Sequence, residues 1–240
     1  MKKHWLPLLI GLLGVSLSLS AQSWKSKIKG EGPTTDHSLD LSKITGLSLG
    51  IPATVYLTQG KEQSVRIEAQ QNIYDNIEQD LVSENWELTF DREVKTHEPI
   101  TIHLTIAHLE RLDIGGSGEI QCTNHFKNLS DIDLNIGGMG EITFMGDAED
   151  ISCNIGGSGA IQMTGASNAV DINIGGQGKI MAMEMQTERC NISSAGSSQV
   201  EIHVIDRLNV SMVGRGKVNY KGSPKVSSSI VGSGDVSKVK

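Results

Sequence analysis

One eleven-residue pattern recurs seven times between residues 112 and 238, and few folds accommodate that. The segments LDIGGSGEIQC (112–122), LNIGGMGEITF (134–144), CNIGGSGAIQM (153–163) and INIGGQGKIMA (172–182) are near copies. ISSAGSSQVEI (192–202), VSMVGRGKVNY (210–220) and SSIVGSGDVSK (228–238) are weaker ones. The last small residue of each motif is Gly118, Gly140, Gly159, Gly178, Ser198, Gly216 or Gly234, in steps of 22, 19, 19, 20, 18 and 18. A unit this short cannot bury an apolar face alone and must stack on its neighbours. A period near twenty with β-type sequence makes each unit one coil of a β-solenoid. Leucine-rich repeats share the period, but their leucine pattern is missing.

Alternation inside the motif supports the same fold. Leu112, Ile114, Gly116, Gly118, Ile120 and Cys122 share one parity, and Asp113, Ser117, Glu119 and Gln121 share the other. The second copy repeats this, with Leu134, Ile136, Ile142 and Phe144 against Asn135, Met139, Glu141 and Thr143. Such alternation marks half-buried strands. A further apolar position recurs eight residues before the marker, at Ile132, Ile151, Val170, Cys190, Leu208 and Val226, and predicts a second wall.

The motif glycines are expected to form the bends between walls. They are Gly115, Gly116 and Gly118, then Gly137, Gly138 and Gly140, Gly156, Gly157 and Gly159, and Gly175, Gly176 and Gly178. Gly214 and Gly216, then Gly232 and Gly234, continue the series in the last two copies. A bend there needs either a positive φ or no side chain in a tight interior. The three cysteines, Cys122, Cys153 and Cys190, fall on inward parity. Coils stack at about 4.8 Å, so two coils separate neighbouring thiols by about 10 Å, too far for a disulfide. They are expected to be buried free thiols.

Ahead of the repeats, Lys2 and Lys3, an apolar run from Trp5 to Leu19, and Ser20-Ala21 make a secretory signal peptide over residues 1–21. No cysteine adjoins the expected cleavage site, so no lipoprotein anchor is expected, and no second apolar run is long enough for a transmembrane helix. Cleavage removes two lysines and no acid, which moves the net charge from −7 to −9. An acidic exported chain without a basic aromatic patch repels nucleic acid and anionic membrane surfaces. Residues 22–43 are polar, with Gly30, Gly32 and Pro33, and read as a flexible lead. Alternating runs at 47–51, 53–58, 64–69, 86–91 and 100–106 read as strands, and residues 72–80 as a turn-rich stretch with room for a short helix. With no linker before the first repeat, residues 44–110 are expected to form an N-terminal β region capping the solenoid of 111–240, the two making one continuous domain. Lys238 and Lys240 flank the last strand, where lysines discourage edge-to-edge aggregation.

An exported chain with early strands followed by repeats of the form Ile-Gly-Gly-Ser-Gly-Glu-Ile resembles the putative auto-transporter adhesin, head GIN domain family of bacterial envelope proteins. The resemblance spans about residues 40–238. It implies a right-handed parallel β-helix-like fold and an envelope or surface location, in the periplasm, on the outer membrane or at the cell surface. It supplies no catalytic residues. With few residues after the repeats, no membrane β-barrel translocator is expected.

The fold class expected is therefore all-β: a parallel β-helix-like solenoid of about seven glycine-rich coils with an N-terminal β cap. Phosphate-cradling loops need a helix after the glycines, and here a strand follows. A calcium β-roll needs nine-residue repeats with Asp after the glycines, whereas Glu119, Glu141, Ala160, Lys179, Gln199, Lys217 and Asp235 follow them here. A single calcium between Glu119 and Glu141 is the exception to be checked. Of the histidines only His103 and His108 are close, on opposite strand faces, and no shared metal is expected. Met181, Met183 and Met185 share one parity and read as packing rather than copper ligands. No catalytic, cofactor or metal site is assigned. The expected function is a non-enzymatic, adhesin-like or structural envelope module that binds protein or glycan, with self-association as a further mode. The alternative is a carbohydrate-active β-helix lyase or hydrolase built on Asp113, Asp131, Asp133, Glu119 and Glu141.

Overall fold

The computed structural model describes residues 27–239, so the expected signal peptide and Lys240 lie outside the described residues. The strands are β1 (Ile28–Lys29), β2 (Thr34–Leu39), β3 (Gly46–Leu49), β4 (Ala53–Gln59), β5 (Ser64–Gln70), β6 (Ile77–Val82), β7 (Asn85–Phe90), β8 (Val94–Thr96) and β9 (Ile100–Ile106). They continue as β10 (Arg111–Ile114), β11 (Ser117–Cys122), β12 (Phe126–Ile136), β13 (Met139–Ile155), β14 (Ser158–Ile174), β15 (Gln177–Gly222) and β16 (Lys225–Lys238). One helical turn, α1 (Gln71–Tyr74), interrupts them.

From β10 onward each coil pairs in parallel with the next, and the motifs align residue on residue. Ser117–Gln121 pair with Met139–Thr143, and Met139–Ile155 pair with Ser158–Ile174 at an offset of 19. Inward positions therefore stack into continuous apolar columns. Ile132, Ile151, Val170, Cys190 and Leu208 are all buried. Fully burying such a side chain contributes about 1.5–3 kcal/mol. All three cysteines are buried and free.

Irregular steps have local causes. The 20-residue step between Gly178 and Ser198 comes from a β-bulge: Gln162 pairs with Met181, but Thr164 pairs with Glu184. The inserted residue flips parity, so Met185 is fully buried while Met181 and Met183 lie half-exposed. The expectation that these methionines share one face is thereby corrected. The 22-residue first step arises around Phe126–Leu129, where the register shifts and Asn128 adopts a φ of 58°.

The N-terminal region contributes further rungs to the same stack, out of chain order. β3 pairs in parallel with β10, and β4 with β11, so residues 46–59 form a coil beneath the first glycine motif. β7 and β9 then lie parallel beneath β3 and β4. The chain thus lays down one coil, winds a second outside it, and crosses back over Thr45 to start the repeats, with Glu110 N donating to Thr45 O at 2.8 Å. Antiparallel strands close this end: β6 on β7, β5 on β9, and β2 on β5.

β2 corrects the reading of residues 22–43 as a flexible lead, for the described part of it. As an edge strand with little buried surface it shows no apolar alternation. Backbone pairing from Thr34–Gln70 to Leu39–Val65 and an Arg66–Asp36 ion pair at 2.7 Å hold it in place. His37 stacks on Tyr74 with ring centroids 3.7 Å apart.

The second glycine of each pair is fixed by close approach. A Cβ on Gly138 would fall 2.1 Å from Gly116 O, and one on Gly157 would fall 2.1 Å from Gly138 O. Among the motif glycines, positive φ enters in the later copies, at Gly196, Gly214 and Gly232.

Candidate functional site

Outward positions stack as regularly as inward ones, and on the wall formed by β3, β10, β12 and their successors they build a ladder of polar groups. Asn85 Nδ2 donates to Ser48 Oγ at 2.9 Å, and Ser48 Oγ donates to Asp113 Oδ2 at 2.9 Å. Asn135 Nδ2 donates to Asp113 Oδ1 at 2.6 Å, Asn154 to Asn135 at 2.8 Å, and Asn173 to Asn154 at 3.0 Å. Coils spaced by about 4.8 Å bring identical amides within hydrogen-bond reach, which is why one asparagine per coil suffices. Asp113 accepts from both directions and anchors the run. A parallel ladder takes over along the wall, with Asn191 donating to Asp171 at 2.7 Å and Asn209 to Asn191 at 2.9 Å.

Beside the first ladder runs a strip without side chains. Gly115, Gly156 and Gly175 have nothing within 4 Å of a notional Cβ, and Gly137 only a carbonyl oxygen at 4.0 Å. None of the four has positive φ. Ala195, Val213 and Val231 occupy the same position in the last three coils, so the fold tolerates a side chain there. The bare strip and the ladder together border a shallow groove of about 440 Å³ that includes Asn154, Gly156, Asn173, Gly175, Ser193 and Ser211.

A second depression, of about 410 Å³, lies where the chain crosses from β9 to β10. Thr45, Ser83, Asn85, His108, Glu110, Arg111, Asp131 and Asp133 line it. Arg111 Nη2 donates to Asp133 Oδ2 at 2.9 Å, Thr45 Oγ1 to Glu110 Oε2 at 3.3 Å, and His108 Nε2 lies 3.7 Å from Glu110 Oε1. Asn85 Oδ1 is buried here without a hydrogen-bond partner among the described residues. Lys43, exposed nearby, has its pKa raised by its hydrogen bond to Glu84.

Of the carboxylates singled out in the sequence, Asp131 and Asp133 enter this cleft, Asp113 belongs to the ladder, and Glu119 and Glu141 stand side by side in register on another wall. No third ligand joins that pair: among the described residues no group of three or more His, Cys, Asp or Glu side chains is arranged to hold a metal ion. His103 pairs with Glu68 at 3.1 Å and stacks on Tyr56, away from His108. The cleft residues His108 and Glu110 carry no sequence signal, since a non-local chain crossing assembles them. The ladder had one: asparagine or aspartate recurs immediately before the motif isoleucine, at 113, 135, 154 and 173.

The thiols are chemically shielded. Burial pushes the Cys122 pKa up to about 12, and burial raises those of Cys153 and Cys190 strongly. No helix of the described residues is long and apolar enough to cross a membrane.

Residues 43–224 match the family model described as putative auto-transporter adhesin, head GIN domain. Solved structures share the fold at low identity. A putative adhesin from Bacteroides fragilis superposes with a TM-score of 0.80 at 19% identity, covering 88% of this chain and 100% of its own. A putative lipid binding protein from Parabacteroides distasonis gives 0.74 at 20% identity, covering 90% of this chain and 100% of its own. A putative adhesin from Parabacteroides merdae gives 0.67 at 19%, with coverage of 90% and 100%. No curated protein matches.

Proposed function

The chain belongs to the putative auto-transporter adhesin, head GIN domain family, and from that membership we propose that it is an exported, non-enzymatic, adhesin-like module of the cell envelope that binds an extended protein or glycan. The observation that carries this reading is the amide ladder Asn135–Asn154–Asn173 beside the bare strip Gly137–Gly156–Gly175. Hydrogen-bonding groups repeated at the coil spacing, held by one another and by the strands, form a preorganised array. An extended polymer lying along the strip meets the same donor and acceptor at each coil, and no side chain of these coils blocks it.

The test is binding of the chain from residue 22 onward to a broad glycan array, with parallel assay for breakdown of bound sugars. Gly156→Val and Gly175→Val fill the strip with a side chain that the last coils already carry. Binding without turnover, lost in these variants while the fold persists, supports the reading. Turnover overturns it and moves attention to the His108–Glu110–Arg111–Asp131–Asp133 cleft, where a carbohydrate-active enzyme would work. No glycan binding at all leaves a protein ligand as the form of the proposal to test, against the same two variants.

A further inference from the structure

The two ends of the solenoid differ in three respects. The N-terminal end is closed by antiparallel strands, and its core side chains, Ile67, Ile73, Trp86 and Leu88, are fully buried. The other end is open: on its outer side β16 pairs with no described strand. Leu208, Val210 and Met212 of the preceding coil are at most 3% exposed, whereas their register partners in β16 are open: Val226 is 41% exposed, Ser228 is exposed and Ile230 is half-buried. The last layer of the core therefore has a neighbour on one side only.

Charge is the third difference. Residues 207–239 hold six Lys and Arg against one Asp, a net +5. Residues 27–206 hold eleven against 27 Asp and Glu, a net −16. Among the described strands of the large sheet, three have a single partner: β2, β6 and β16. The first two lie at the acidic end. β6, of sequence IEQDLV, exposes Glu78 and Asp80, and its Val82 is 55% exposed. β16 exposes Lys225 and Lys238, with Arg207 and Lys221 exposed on the coil beneath.

We propose that the open coil edge β16 docks the β6 edge of a second copy of this chain, head to tail. An unpaired strand edge offers a row of N–H and C=O groups to another edge. Lysines at β16 oppose pairing with a second β16, because like charges would meet, and favour an acidic edge. The chain itself carries such an edge at its opposite end. On the inward face, Leu81 of one copy covers apolar surface left by Val226 and Ile230 of the next, while Glu78 and Asp80 stay on the outward face. The contact is heterologous, so it leaves one free edge of each kind and repeats into rods rather than stopping at a dimer. This inference is independent of which ligand the ladder binds.

The test is sedimentation of the chain from residue 22 onward across concentration, in low and in molar salt. Open-ended association that weakens at least tenfold in high salt is expected. The double variants Arg207→Glu/Lys225→Glu, which change the two cations stacked on the wall that faces β6, and Glu78→Lys/Asp80→Lys, each with an unchanged far-ultraviolet spectrum, should each be monomeric alone. Mixed, they should associate, because each restores an acidic edge opposite a basic one. A wild-type chain that stays monomeric in low salt overturns the proposal. So does a dimer that grows no further, or association that the β6 variant leaves intact, since a two-fold contact through β16 alone predicts both.

Discussion

A Cβ placed on Gly157 would sit 2.1 Å from the carbonyl oxygen of Gly138, one coil away, while one placed on Gly156 would meet nothing within 4 Å. Adjacent residues of one motif thus answer to different constraints. Gly157→Ala should destabilise the chain by about 1–3 kcal/mol, the usual effect of forcing a group into filled space. Gly156→Ala should be neutral or stabilising by about 0.4–1 kcal/mol, because it only restricts the unfolded chain. Urea denaturation of the two variants separates them.

Asn154 both donates to Asn135 and accepts from Asn173. Asn154→Ala should lower stability by about 1 kcal/mol, since the ladder is half-exposed and water replaces part of what is lost. The same variant should weaken ligand binding more than it weakens the fold. Comparing its denaturation midpoint with its affinity for whatever the glycan array identifies checks both parts.

The buried thiols make stability fall in alkali. Burial raises the pKa of Cys122, Cys153 and Cys190 above the ordinary value of 9.0. Below that value both folded and unfolded chains keep the protons, and the stabilisation is complete. Above it the unfolded chain releases them first, so stability drops by about 1.4 kcal/mol per pH unit for each thiol until the folded pKa is reached. Denaturation midpoints from pH 7 to pH 11 measure the slope, and Cys153→Ala should remove one thiol's share of it. A thiol reagent at pH 8 should label the three only after unfolding.

Removing residues up to 40 deletes β2 and bares the outer edge of β5. The truncated chain should melt at lower temperature and aggregate on concentration, as uncovered edges do. Light scattering during a thermal scan, beside the chain starting at residue 22, shows the difference.

Much of this architecture could be read from residues because repetition writes the same contact many times. Ile120, Ile142, Ile161 and Ile180 announce their shared column by spacing alone, and the buried thiols follow from parity. What escaped detection depends on contacts made once. In the coil of residues 46–59, Ile51, Pro52 and Ala53 stand where later copies have Gly116, Ser117 and Gly118, so no motif flags it. In the coil outside it, β8 and its flanking loops separate Leu88 from Ile100, and the repeat spacing is lost. A one-residue bulge turned Met185 inward against the local alternation. The cleft around His108 and Glu110 needs the crossing over Thr45, which no window of sequence contains.

That crossing sets how the molecule must assemble in time. Neighbouring glycine coils lie 18 to 22 residues apart, so the array can zip from any starting point through short closures. Gly46, by contrast, meets Asn85 across 39 residues and Arg111 across 65. Strands made first by a growing chain are therefore completed late, after the crossing segment has passed over them. The high sequence separation of these pairings makes the cap, and not the repeats, the step that governs the folding rate.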